Sequence, residues 1–353
     1  MKAKILLPVV LMLAVTLVNH APVFAQEVPT EKSTDMLAEI QKSRFNQALN
    51  KIGIADISIE GEANFKYNTG GEEHGIDTDG PEVVLGVQST NKAIRAEIAL
   101  AFQELISIDK NKLSKPMDWN AFLKEAKIII DKDPSTGRIF TTIIGKQTLS
   151  TSSNDSVMPI DDNGPLKALT EVPGAYAIQF QLDKEALKVI DSLIVSGFTT
   201  GKGSEDAGLE PNTTGGMVVI SKKLSDSLIL NGSLTRINHE GAPETRINWG
   251  AVYTNERHGY SVFFNQAIFK HNPLYPESST IYTLGATKQI GEKGTATVEA
   301  TGGAVRQFAL GYTHQISKKT LLGVGVRKTI CTPMAQDAGT CGVRYEALLK
   351  RQF

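Results

Sequence analysis

Histidines, cysteines and carboxylates are where this chain could do chemistry, and their spacing offers little for catalysis. The six histidines are scattered, with no H-E-x-x-H pair for zinc and no G-x-S-x-G elbow, P-loop or dinucleotide-binding glycine run. His258 and Ser261 stand close together at a predicted tight turn, without a third group to orient them as a base and nucleophile. Asp77-Thr78-Asp79-Gly80 resembles the opening of a calcium loop. With Gly80 in the glycine position, however, the closing bidentate acid would fall on Gly86, so the frame fails. No metal, no cofactor and no enzymatic activity is expected. Cys331 and Cys341 are too loosely spaced for zinc and have no histidine nearby. In an exported chain such a pair is expected to form a structural disulfide.

A second kind of chemistry is written in period two. Ala55, Ile57, Ile59, Gly61, Ala63, Phe65 and Tyr67 alternate with Asp56, Ser58, Glu60, Glu62, Asn64 and Lys66. Successive side chains of a strand point to opposite faces, so one face is apolar and the other wholly polar. A barrel wall between hydrocarbon and a wet lumen needs this code, although a soluble sandwich alternates too, with its apolar face inward. On the barrel reading Glu60, Glu62, Lys66, Arg95, Glu97, Arg344 and Glu346 are expected to face the lumen. Lys146 is a further lumen candidate, its face ambiguous in the pattern. Charges of both signs on such a wall can set solute selectivity through a transverse field, or simply tie the wall together as ion pairs. Because the first and last strands meet at closure, Arg344 is expected near Glu60 or Glu62.

The elements that position these residues follow from alternation and turn signals. About sixteen strands are expected, fourteen to eighteen at the limits of the count, near 55–67, 82–89, 93–104, 121–131, 138–148, 175–182, 188–199, 215–223, 227–237, 245–254, 259–269, 279–290, 295–302, 305–315, 320–330 and 342–353. The connections alternate long and short, most clearly in the first half. Up-and-down strands crossing a membrane, with brief periplasmic turns and extended outer loops, have this rhythm. A long structureless loop is uncommon inside a compact soluble domain. The fold expected is all-β, an antiparallel transmembrane up-and-down barrel with a short N-terminal helical segment. The longest connection, 149–174, is long enough to fold inward, where Asp155, Asp161, Asp162 and Glu171 would select by charge. It could equally lie on the surface against lipopolysaccharide.

Lys2 and Lys4 precede an apolar run from Ile5 to Val18, and Val23-Phe24-Ala25 offers the small residue of a cleavage site. The run is shorter than the ~20 residues of a spanning helix, which makes 1–25 a signal peptide. Residues 26–53 then form a polar, partly helical periplasmic segment, and 54–353 the barrel. The net charge of −1 argues against a nucleic-acid partner. Expected partners are outer-membrane lipid and lipopolysaccharide, small solutes, and the barrel-assembly machinery. Counting back from Phe353, the residues Leu349, Ala347, Tyr345 and Val343 share one face. Together with the terminal aromatic they resemble the signal that machinery reads, with Arg351 the one departure. The oligomeric state is not legible.

The segment Ile54-Ala-Asp-Ile-Ser-Ile-Glu-Gly-Glu-Ala-Asn-Phe-Lys-Tyr67, preceded by a short helical stretch, resembles the opening of the LbtU-type siderophore porins. The run Phe122 to Asp131, followed by Ile139 to Ser150 with its Gly145-Lys146-Gln147, resembles that family's paired strands. Thr148-Leu149-Ser150 stands where members carry Pro-Phe-Gly. The resemblance implies an outer-membrane porin whose cargo is ferric siderophores. With no plug domain expected ahead of the first strand, diffusion of small solutes is the expected function. The alternative is a non-conducting structural or adhesive barrel.

Overall fold

The computed structural model describes residues 47, 49–51, 53–69, 75–77, 82–90, 92–101, 123–151, 170–200, 212–239, 243–271, 279–330 and 342–352. Gln47 and 49–51 are helical; the rest of the expected N-terminal helix lies outside the described residues, as do the leader and Phe353.

The strands are β1 (Ile54–Thr69), β2 (Gly75–Asp77), β3 (Glu82–Ser89), β4 (Ile94–Ala101), β5 (Leu123–Ile130), β6 (Thr141–Leu149), β7 (Val172–Asp183), β8 (Ser192–Thr199) and β9 (Thr214–Ser225). Then follow β10 (Leu228–Asn238), β11 (Glu244–Asn255), β12 (Tyr260–Lys270), β13 (Ser279–Ile290), β14 (Gly294–Gly303), β15 (Arg306–Ser317), β16 (Thr320–Ile330) and β17 (Gly342–Gln352). From β3 to β17 each pairs antiparallel with the next. β1 pairs with both β3 and β17 and closes the wall. The short β2, which alternation did not reveal, adds to the end of β1 through Lys66 and Asp77. Sixteen long strands therefore make an up-and-down barrel. Following the register once around the wall returns to β1 about 20 residues further along. That stagger sets a strand tilt of about 40° and a backbone diameter of about 30 Å.

Which way the side chains point decides what kind of barrel this is. Leu284 on β13 is 53% exposed, whereas Glu299 on the adjacent β14 is 3% exposed. Along β7, Tyr176, Ile178 and Phe180 are exposed while Ala175 and Ala177 are buried. The outer face is crowded with large apolar residues. The inner face carries buried polar side chains together with two apolar clusters, one around Leu149, Phe198, Met217 and Ile237 and one around Phe269 and Ile281. The exposed apolar face matches a wall standing in hydrocarbon. Aromatic rings mark the two rims of the outer face. Phe140 and Phe180 meet edge to face at 5.5 Å, and Tyr253 lies 6.2 Å from Tyr260, near one end. Tyr176, Tyr282, Phe308 and Tyr345 lie toward the other. Aromatic rings in girdles at two levels are what the rims of a membrane-spanning barrel carry.

The short connections β3–β4, β5–β6, β7–β8, β9–β10, β11–β12, β13–β14 and β15–β16 share one end of the barrel, the turn end. The remaining connections share the other, the loop end, where two are also short: residues 239–243 join β10 to β11, and only Ala304 and Val305 join β14 to β15. At the turn end Lys132 bonds Asp183 and reaches Glu185 at 2.6 Å, tying two neighbouring turns. These carboxylates, Asp183 first, raise the pKa of the lysine. In the β5–β6 turn the hydroxyl of Ser135 donates to Asp133 Oδ1 at 2.5 Å and holds that carboxyl below its ordinary range. Its contribution is complete above the usual carboxylate range and fades as the pH falls through the lowered pKa.

Candidate functional site: the charged inner wall

Among the described residues three groups of charges stand out on the inner face, each held by strand parity. The first is a ladder on β4 and β5. Register pairs Arg95 with Ile129 and Glu97 with Lys127, so these residues share the inner face. Arg95 Nε lies 3.1 Å from Asp131 Oδ2 and its Nη1 3.7 Å from Glu97. Lys127 Nζ lies 3.4 Å from Glu97 and 2.7 Å from Glu125. Glu125 in turn accepts from Thr148 N at 3.1 Å. Asp131, Arg95, Glu97, Lys127 and Glu125 thus alternate in sign up the wall, with three acids to two bases.

The second group is on β11, next to the β10–β11 loop. Arg246 Nε donates to Glu244 Oε1 at 2.8 Å and Nη2 to Oε2 at 3.2 Å, while His239 Nε2 lies 3.1 Å from the same carboxylate. The Glu244 and Arg246 side chains are 0% and 3% exposed. The third group gathers Glu299, Arg327, Arg344 and Glu346, with Arg327 Nε 3.7 Å from Glu346. Asn248, Asn265, Thr283, Thr301 and Gln307 fill much of the wall between the second and third groups.

The residues singled out by sequence distribute as follows. Arg95 and Glu97 enter the ladder. Arg344 and Glu346 enter the third group, Arg344 directly opposite Arg327. Glu60 is exposed and pairs with Val84. Glu62 and Lys66 are described by backbone register only, opposite Gln352 and Leu348. Arg344 does not approach Glu60 or Glu62: the stagger sets Gln352 beside Glu62 and Glu346 beside Asn68, which places Arg344 about 25 Å further along β1 at ~3.3 Å per residue. Glu171 is half-buried just before β7. Asp155, Asp161, Asp162, Cys331 and Cys341 lie outside the described residues. His258 and Ser261 do not meet: His258 Nδ1 pairs with Asn255 at 3.1 Å, and Ser261 Oγ with Thr254 at 3.0 Å. Among the described residues no cluster of three metal-ligating side chains occurs.

Lys146 is buried, and its Nζ donates to the Leu123 carbonyl at 2.6 Å. Its register partners, Ala126 and Tyr176, belong to the outer row of Ile144 and Ile178. The preceding Gly145, at φ 141°, adopts a backbone conformation that favours glycine. A Cβ there would stand 2.1 Å from the Ala126 carbonyl oxygen. Gly145→Ala is expected to cost roughly 2–4 kcal/mol through strain and this clash, read as a lower urea midpoint of the refolded barrel. An unchanged midpoint would mean that β5 and β6 do not approach this closely.

Glu125, Lys127, Glu244, Arg246, Glu299 and Arg327 were not singled out from the sequence. For Glu244 and Arg246 the signal was present: Glu244, Arg246 and Asn248 alternate with Thr245, Ile247 and Trp249.

No family model and no curated protein matches the sequence. Solved structures do match. Salmonella typhi OmpF, in a complex with daunomycin, superposes with a TM-score of 0.60 at 10% identity, covering 84% of this chain and 97% of the other. OmpT of Vibrio cholerae, as a loop L8 deletion mutant, gives 0.58 at 10% identity over 84% and 99%. The outer-membrane channel DcaP of Acinetobacter baumannii gives 0.57 at 13% identity over 86% and 98%. At such identities the likeness defines the fold, that of the porin-type β-barrel.

Proposed function

We propose that this chain is an outer-membrane porin, exported by a leader cleaved after Ala25, through which small solutes diffuse. One observation carries the reading: a closed wall exposes a belt of large apolar residues on its outer face and holds a charge ladder and hydrogen-bonding side chains on its inner face. Such a barrel is stable only with hydrocarbon outside, and a polar interior suits water and solutes. The porin-fold neighbours support the same location and role. The turn end then faces the periplasm and the loop end the exterior. The sequence resemblance adds ferric siderophores as the cargo class, for which a wall presenting both charges offers weak recognition of a whole chelate. We further propose a disulfide between Cys331 and Cys341, and a charge-selecting role for Asp155, Asp161, Asp162 and Glu171.

Reconstitution in a planar bilayer tests the reading. Stepwise ohmic conductance is expected, reduced by added ferric siderophore. Absence of any conductance from folded protein would overturn the porin reading. Conductance with equal liposome-swelling rates for a ferric chelate and a sugar of similar mass would remove the siderophore preference alone.

A further inference from the structure

The outer face carries one feature that solute passage does not use. Between β13 and β16, near the loop end, a groove of about 500 Å³ is lined by Tyr282, Gly302, Arg306, Phe308, Lys328 and Ile330 among others. Register explains its form. Tyr282 pairs with Gly302, Phe308 with Lys328 and Arg306 with Ile330, so these six share the outward face. The tyrosine ring lies across Gly302, where a Cβ would stand 2.4 Å from it. The ring can lie flat there only because position 302 has no side chain. The two-residue connection between β14 and β15 borders the groove at the loop end.

Two cations stand on this apolar floor. Arg306 and Lys328 are exposed and are diagonal neighbours on paired strands, a spacing of about 7–8 Å. Among the described residues neither has an ion-pair or hydrogen-bond partner, in contrast to the inner ladder, where each charge has an opposite one within 3.4 Å. Two unmatched cations at this distance repel each other unless an anion sits between them. In a membrane the position is the outer interface, where the floor meets acyl chains and the cations meet headgroups.

We propose that this groove binds one phosphorylated glycolipid of the outer leaflet. Its phosphate sits between Arg306 and Lys328, and an acyl chain lies over Phe308, Ile330 and the Tyr282–Gly302 floor. Arginine supplies a planar fork for the phosphate oxygens and lysine a point charge. The proposal rests on the membrane placement of the barrel and not on its conductance, so a closed barrel would leave it standing.

The test is a titration of the purified full chain in detergent, followed by native mass spectrometry, with bis-phosphorylated lipid A as probe. One lipid A per barrel is expected, and R306Q/K328Q should weaken it roughly ten-fold or more through the loss of two charge-assisted contacts. Lys270→Gln, at an exposed rim position outside the groove, should leave the affinity unchanged. Lipid A stripped of its phosphates should bind no better than the double variant binds the intact lipid. The heat-dependent gel shift of each variant confirms that it is folded. Equal binding by wild type and R306Q/K328Q, equal binding of the stripped lipid, or an equal loss in K270Q would each overturn the site. Phosphatidylglycerol bound as tightly as lipid A, or full displacement by millimolar inorganic phosphate, would overturn the assignment to a phosphorylated glycolipid.

Discussion

Arg246→Met should destabilise the barrel by about 3–5 kcal/mol, the cost of removing one partner from a buried ion pair. The Glu244 carboxylate accepts two hydrogen bonds from Arg246 and lies against His239, with its side chain 0% exposed. The substitution keeps most of the arginine's apolar stem and removes only the charged fork, so the loss reports the stranded carboxylate rather than a cavity. E244L/R246M removes both charges and should recover most of the stability, because a buried pair is worth little against apolar residues of similar volume. The measurement is urea unfolding in micelles, followed by the fluorescence of Trp249, which sits on the outer face of the same strand. A double variant as unstable as the sum of its single changes would show that the two side chains act independently. A loss below about 1 kcal/mol for R246M would show that water reaches the pair and screens it.

The pair also marks how far the sequence could be read. Strand existence was legible nearly throughout: 82–89, 279–290 and 320–330 coincide with β3, β13 and β16, and the other long strands differ only at their ends. The reason is physical, since a wall with hydrocarbon on one side and water on the other must alternate. The same rule explains the failures. β5 contains Ile128-Ile129-Ile130, where no alternation tells the faces apart; Ile128 is 46% exposed and Ile129 only 6%. The parity of Lys127 and Glu125 was hidden with it, and the bulge between Ala99 and Leu100 breaks the count from above. The separation of Arg344 from Glu60 came from stagger, a property of the closed wall that no single strand carries. Lys146 was ambiguous because Gly145 takes a conformation outside the regular strand. β2 is three residues long, too short for alternation to register.

The ladder supplies the second large effect. If Arg95, Glu97, Glu125, Lys127 and Asp131 line the water path, neutralising its two bases should raise cation selectivity, and neutralising two of its acids should do the reverse. R95Q/K127Q and E97Q/E125Q remove equal numbers of charges from the same stretch of wall with opposite sign. Two unit charges within about 8 Å of a permeating ion, in water and partly screened, amount to roughly 0.5 kcal/mol. That energy acts oppositely on cations and anions, so the permeability ratio should move about three- to ten-fold in dilute salt. The shift should shrink in 1 M salt, where the screening length falls to about 3 Å. Reversal potentials across a bilayer under a potassium chloride gradient give the ratio directly. The sign carries the argument: loosening the wall by breaking its ion pairs would move both variants the same way, whereas a field acting on solute must move them apart. Parallel shifts, or none in folded and conducting protein, would reduce the ladder to a brace for β4 and β5. Opposed shifts would make it the part of the wall that solutes sense.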